Sequence, residues 1–187
     1  KYSTTEPTNK SVTVTITSNK ELKELEGWKL SADKLSITKE YTQNVTEEIT
    51  VQDFAGNTGK TKVTINNIDV TAPEVEVKYS TTETTHDTVT VTVKSNEKLK
   101  EVKGWTLSED KLILTKEYTD NTEETLIIYD LAGNERKIPI RIANIDKVEL
   151  EAKVEYSTTE ATKGTVKVTI KANKKIKQVE GWTLDEA

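Results

Sequence analysis

The 187-residue chain has no cysteine, one histidine, three prolines and few aromatic residues. Without cysteine, no disulfide can brace a small domain and no thiolate nucleophile is available. The one histidine, His86, stands in a polar turn. No glycine-rich phosphate loop is present. No run of apolar residues is long enough to cross a membrane, and neither a leader nor an anchoring motif is seen, so no membrane insertion is expected of this segment. The net charge of -5 is mild and mixed along the chain, with no basic stripe, which argues against nucleic acid as a partner.

What the chain does contain is repetition. Lys1-Tyr2-Ser3-Thr4-Thr5 returns as Lys78-Tyr79-Ser80-Thr81-Thr82 and as Glu155-Tyr156-Ser157-Thr158-Thr159, a period of 77 residues without insertions. Gly27-Trp28 returns as Gly104-Trp105 and Gly181-Trp182, and Asp53-Phe54-Ala55-Gly56-Asn57 as Asp130-Leu131-Ala132-Gly133-Asn134. About half of the positions in the first two repeats are identical, and such periodicity decides architecture before local signals do. The expected domains are repeat 1 over 1–69, repeat 2 over 70–146, and the N-terminal half of repeat 3 over 147–187. Hydrophobic residues make up 33% and charged residues 32%, which is lean. The apolar residues nonetheless alternate, and threonine and β-branched residues dominate, which favours strands.

In repeat 2, strands are expected at Glu74–Tyr79 and Thr88–Ser95, with Val89, Val91 and Val93 on one face and Thr90 and Thr92 on the other. A third strand carries Leu99, Val102, Trp105 and Leu107, with a bulge at Gly104 where the phase changes. Further strands run from Leu112 to Tyr118 and from Thr125 to Asp130. A hairpin turn at Leu131–Asn134 then leads to a last strand with Ile138, Ile140 and Ile142. Pro139 places that last strand at an edge or bulge. Helical spacing occurs only in Asn19–Glu26 and its counterparts, enough for one or two turns. Six or seven short strands in 77 residues predict an all-β, antiparallel β-sandwich. The junctions, Asn66–Pro73 and Ala143–Leu150, are short and lack glycine, so they restrict the angle between neighbouring repeats.

Five segments together resemble the tandem immunoglobulin-like repeats of Gram-positive bacterial cell-surface and extracellular proteins. They are Tyr79–Thr82, Gly104–Ser108, Lys116–Thr119, Asp130–Asn134 and Asn67–Pro73. The second junction departs from the pattern, with Lys147-Val148-Glu149-Leu150 in place of Val70-Thr71-Ala72-Pro73. The resemblance implies immunoglobulin-like sandwiches in stalks, spacers, filaments and adhesins at the cell wall, without implying a ligand. Absence of cysteine fits an exported protein of such a bacterium, and a cytosolic protein can lack it too.

Catalysis has little support. The counterparts of His86 are Asn9 and Lys163, so a Ser-His-Asp arrangement is excluded from two of the three repeats. Metal binding has more. Asp53 and Asn57 in the hairpin turn and Asp69 in the junction recur as Asp130, Asn134 and Asp146. Their oxygens could meet at a junction and hold Ca²⁺, which takes about six to eight oxygen ligands. The competing role is turn-shaping, in which Asp and Asn bond their own backbone. Trp28, Trp105 and Trp182 are expected in the core; exposed, they would be sugar platforms. Lys39 and Lys116 fall in core phase, where an isopeptide bond would need a carboxyl partner; the simpler expectation is a stem along apolar surface and a head in water.

The resulting expectation is a non-enzymatic structural array at a bacterial surface, with neighbouring repeats as its partners. Homotypic assembly through the incomplete repeat 3 is a further expectation, since its open strands are pairing edges. The alternatives are a carbohydrate-binding or adhesive module, and an accessory region of a secreted hydrolase.

Overall fold

The structure, a computed structural model, describes residues 1–184; the end of the expected third repeat, 185–187, lies outside them. The chain divides into two compact units, Lys1–Ile145 and Asp146–Ala187. Among the described residues there is no helix, and the strands pair only antiparallel, in several small sheets.

The first unit opens with β1 (Val12–Thr17), β2 (Lys29–Leu30), β3 (Ser36–Tyr41), β4 (Val45–Gln52) and β5 (Thr58–Ile65). They form a β1-β3-β2 sheet and a β4-β5 hairpin. The same order follows with β6 (Val75–Tyr79), β7 (Val89–Ser95), β8 (Thr106–Leu107), β9 (Ile113–Tyr118), β10 (Thr122–Tyr129) and β11 (Glu135–Ile142). Here the sheet is β6-β7-β9-β8 and the hairpin β10-β11. Where repeat 2 has β6, repeat 1 has only a bridge between Tyr2 and Val14.

Alternation explains the packing. Val89, Val91 and Val93 are fully buried, while Thr90 and Thr92 on the opposite face are half-buried. Leu114 and Tyr118 of β9 join the valines, as do Leu126 and Ile128 of β10 and Ile138, Ile140 and Ile142 of β11. One core therefore draws on the inward faces of both the four-stranded sheet and the hairpin. At about 1.5–3 kcal/mol per fully buried aliphatic side chain, this contact dominates the stability of the repeat. Pro139 lies in β11 opposite Thr125, in a two-stranded ladder where its missing N–H breaks no second pairing.

The expected third strand is mostly not a strand. Gly104 has φ +80°, and Trp105 N–H donates to the Val102 carbonyl, 3.1 Å, closing a turn. A positive φ cannot continue a ladder, so only Thr106–Leu107 pairs with β9. Leu99 stays buried through a single bridge to Asp130. The helical spacing at Asn19–Glu26 also gives no helix. Its donors go across the fold instead, from Leu22 N to Lys34 O and Lys23 N to Gln52 O, both 2.8 Å. One or two turns cannot outweigh the cost of helix nucleation.

Each repeat of this unit is closed where its last strand ends. Thr8 pairs with Ile68, and Thr85 with Ile145, as parallel bridges. Asn44 accepts from Ile68 N–H and donates to the Ile68 carbonyl, and Asn121 does the same to Ile145, all at 2.9 Å.

The second unit contains β12 (Ala152–Tyr156) and β13 (Val168–Ala172), paired antiparallel from Ala152↔Ala172 to Tyr156↔Val168. Val154, Val168, Ile170, Val179 and Trp182 are exposed. Val168, Ile170, Val179 and Trp182 line an open groove together with Lys167, Lys174 and Lys175.

Candidate metal centre

The Asp-x-Ala-Gly-Asn turns are built by their own side chains. Asp53 Oδ1 accepts from Asn57 N–H and Oδ2 from Asn57 Nδ2, both 2.8 Å. Asp130 repeats this with Asn134 at 2.8 and 2.7 Å, and its Oδ1 also accepts from Gly133 N–H at 2.5 Å. Gly56 and Gly133, at φ +93° and +99°, supply the left-handed residue that the turn requires. The turn-shaping role of these Asp and Asn residues is therefore observed.

The junction residues do not meet the turn of their own repeat. From its turn, β5 runs eight residues, about 26 Å at about 3.3 Å each, and Asp69 follows its far end. Asp69 instead reaches the turn of the following repeat. Its carbonyl accepts from Asn134 Nδ2 at 2.9 Å, and Asn9 N–H donates to the Ala132 carbonyl at 3.1 Å. Asp69, Asp130 and Glu97 place one carboxylate oxygen each within 4.8 Å of one another. Asp130 is 1% exposed; Asp69 and Glu97 are half-buried. Burial, followed by the negative charges of Asp130 and Asp69, raises the Glu97 pKa above its ordinary value.

Glu97 was not among the expected site residues, though the repeat carries a signal for it. The counterparts of position 97 are Lys20 and Lys174, a charge reversal amid aligned neighbours. Lys20 Nζ lies 3.6 Å from Asp53 Oδ2. Lys174 Nζ, within the second unit, lies 2.8 Å from both carboxylate oxygens of Asp146 and bonds the Val148 carbonyl. The Asp146 pKa is lowered, first by this bond from Lys174. Among the expected metal residues, then, Asp69 and Asp130 come together with Asn134 beside them. Asn57 bonds Asp53, which is also ion-paired with Lys20, and Asp146 accepts from Lys174.

The other candidates have structural surroundings. Trp28 and Trp105 are half-buried, flanking the core rather than filling it, each edge-on to a tyrosine, Tyr41 or Tyr118, at 6.3 Å. Trp182 is exposed. Lys116 Nζ donates to Glu124 Oε1 at 2.8 Å and lies 4.6 Å from the Tyr118 ring; Tyr118 Oη donates to the same Glu124 oxygen at 2.5 Å. Lys39, Glu47 and Tyr41 repeat this triad. The half-buried lysine head thus finds a glutamate in an ion pair. His86 is exposed beside Asp87, at 3.5 Å.

No protein-family model, curated protein or solved structure matches the chain.

Proposed function

We propose that this chain is a non-enzymatic structural segment, a row of immunoglobulin-like β-sandwich repeats serving as a stalk, spacer or fibre subunit at a bacterial cell surface. The observation that carries this reading is the bonded junction within the first unit. The end of repeat 1, through Asn9 and the Asp69 carbonyl, is hydrogen-bonded to the Ala132–Asn134 turn of repeat 2. A glycine-free linker with such bonds transmits length, where a flexible tether would not. The two-layer core of repeat 2 and the 77-residue periodicity support immunoglobulin-like sandwiches as the unit.

Each repeat would contribute about 35–40 Å, from strands of six to eight residues at about 3.3 Å each plus end loops. Small-angle scattering on proteins of two and four complete repeats tests the reading. The maximum dimension should grow in proportion to repeat number. If it hardly grew, the repeats would be folded back on one another and the spacer role would be wrong. The carbohydrate-binding alternative needs a free tryptophan face, and the contacts of Trp28 and Trp105 with core tyrosines favour a packing role. Homotypic assembly through the exposed strands of the second unit belongs to the same proposal, and concentration-dependent sedimentation would reveal it.

A further inference from the structure

We infer that each repeat of the first unit is a load-bearing module, in which the first and last segments form a clamp that tension along the chain loads in shear. The inference deepens the stalk reading and rests on it for the clamp's use. The same bonds recur in both repeats. In repeat 1, Thr8 N–H donates to the Asn67 carbonyl and Asp69 N–H to the Thr8 carbonyl, both 2.9 Å. In repeat 2, Thr85 N–H donates to the Asn144 carbonyl at 2.9 Å. An asparagine side chain widens each clamp. Asn67 Nδ2 donates to the Glu6 carbonyl and Asn144 Nδ2 to the Glu83 carbonyl, both 2.8 Å, and Asn144 also reaches the Thr81 carbonyl at 3.3 Å. From the other side, Asn44 and Asn121 hold Ile68 and Ile145 through both backbone groups.

Chain direction decides what these bonds do. Both bridges are parallel, Thr8 with Ile68 and Thr85 with Ile145, whereas the strands of the sheets pair antiparallel. Where the start and the end of a repeat run parallel, tension pulls the first segment back toward its N-terminus and the last segment forward toward its C-terminus. The two slide past each other along their own axes, so the bonds share the load and break together. Opened from one end, the same bonds break one after another. Bonds worth only about 0.5–1.5 kcal/mol each at equilibrium therefore resist as a group. In repeat 2 the load also enters in shear. β6 pairs with β7 from Val75↔Ser95 to Tyr79↔Val91. Asn96 extends this ladder, its Oδ1 accepting from Glu74 N–H and its N–H donating to the Glu74 carbonyl, both 3.0 Å. Tension on Glu74 thus draws β6 along its own axis before it reaches Thr81. Ile68 and Ile145, 8% and 7% exposed, keep water from the clamp. Forced unfolding is governed by the unfolding rate rather than by equilibrium stability, so bonds placed on the load path set the resistance of a small, modestly stable repeat.

Single-molecule pulling on the 187-residue chain, held by handles at its two ends, tests this. Repeats 1 and 2 should give two separate force peaks, each releasing about 210 Å. That is about 70 residues at about 3.6 Å each, less a folded length of about 35–40 Å. Asn144→Ala should lower one of the two peaks by at least about a third and leave the other unchanged, and Asn67→Ala should lower the other. Direction gives the second arm. The chain has no cysteine, so Asp87→Cys with Val148→Cys places handles at two exposed sites, both just C-terminal to the paired residues Thr85 and Ile145. Pulled there, the clamp of repeat 2 peels in sequence and should yield at less than about half the end-to-end force. An end-to-end force no higher than the peeling force would overturn the clamp, as would unchanged peaks in both asparagine variants. The comparison of directions keeps Asn144 and Asn67 in place, so it decides the matter even where an asparagine variant unfolds its repeat. Scattering reads length and pulling reads force, so the stalk reading and the clamp fail separately.

Discussion

The asparagine that closes each repeat offers a sharp test of how the linker is held. In repeat 2, Asn121 makes two bonds to the backbone of Ile145, the last residue before the Asp146 junction, each 2.9 Å. Asn121→Ala removes both. A net hydrogen bond is worth about 0.5–1.5 kcal/mol, so the pair contributes about 2 kcal/mol. Ile145 is 7% exposed, which limits how far water can replace the lost partners. Native-state hydrogen exchange resolves this repeat by repeat. If the closure is part of the cooperative unit, the amides of Val91 and Val93 in β7 should lose protection about thirtyfold, as about 2 kcal/mol dictates. The Ile145 amide, a donor in the lost pair, should lose at least as much. The amides of β1 in repeat 1 should change far less. Protection of β7 unchanged within a factor of two, with Ile145 equally unaffected, would refute the role given to Asn121.

Three further outcomes follow from the packing. Ile128→Ala, at a fully buried position joining hairpin to sheet, should cost about 2–5 kcal/mol in urea unfolding, a large share of the stability of a 77-residue repeat. Trp105→Ala should cost less, about 2–3 kcal/mol, since the half-buried ring loses contact area and its Tyr118 pairing without leaving an enclosed cavity; complete unfolding of repeat 2 would show that the ring does more than flank the core. Glu124 is held below its ordinary pKa of 4.5, first by the bond from Lys116 and then by that from Tyr118. A depressed folded pKa gives stability that is present above 4.5 and lost as pH falls through the folded value, so stability should decline below about pH 4.5, and Glu124→Gln should flatten that decline in acid titrations followed by circular dichroism.

Much of the strand plan was legible because β-branched alternation is a local signal. Val89, Val91 and Val93 point inward as their spacing demands, and the Asp130–Asn134 turn forms where its glycine requires it. The third strand was misread because a backbone conformation intervened: Gly104 at positive φ turns the chain, and apolar phase alone cannot distinguish a bulge from a broken strand. Asp69 stands beside Asp130 rather than the turn of its own repeat, because an antiparallel strand of eight residues carries the chain to the other end of the repeat. Glu97 and Asn121 went unnoticed for opposite reasons. Glu97 breaks the repeat where Lys20 and Lys174 keep it, and Asn121 repeats Asn44 as a polar residue in no obvious motif. Both signals lie in the comparison of repeats rather than in any single one.

The central claim is that repeats 1 and 2 are held at a fixed angle by the junction around Asp69 and the Ala132–Asn134 turn. Residual dipolar couplings of the weakly aligned 187-residue chain test it most directly. Amides of β1, β3, β4 and β5 and those of β7, β9, β10 and β11 should fit one alignment tensor of a single magnitude and orientation. Two tensors of clearly different magnitude would mean that the repeats reorient independently, and would contradict a bonded, length-transmitting junction.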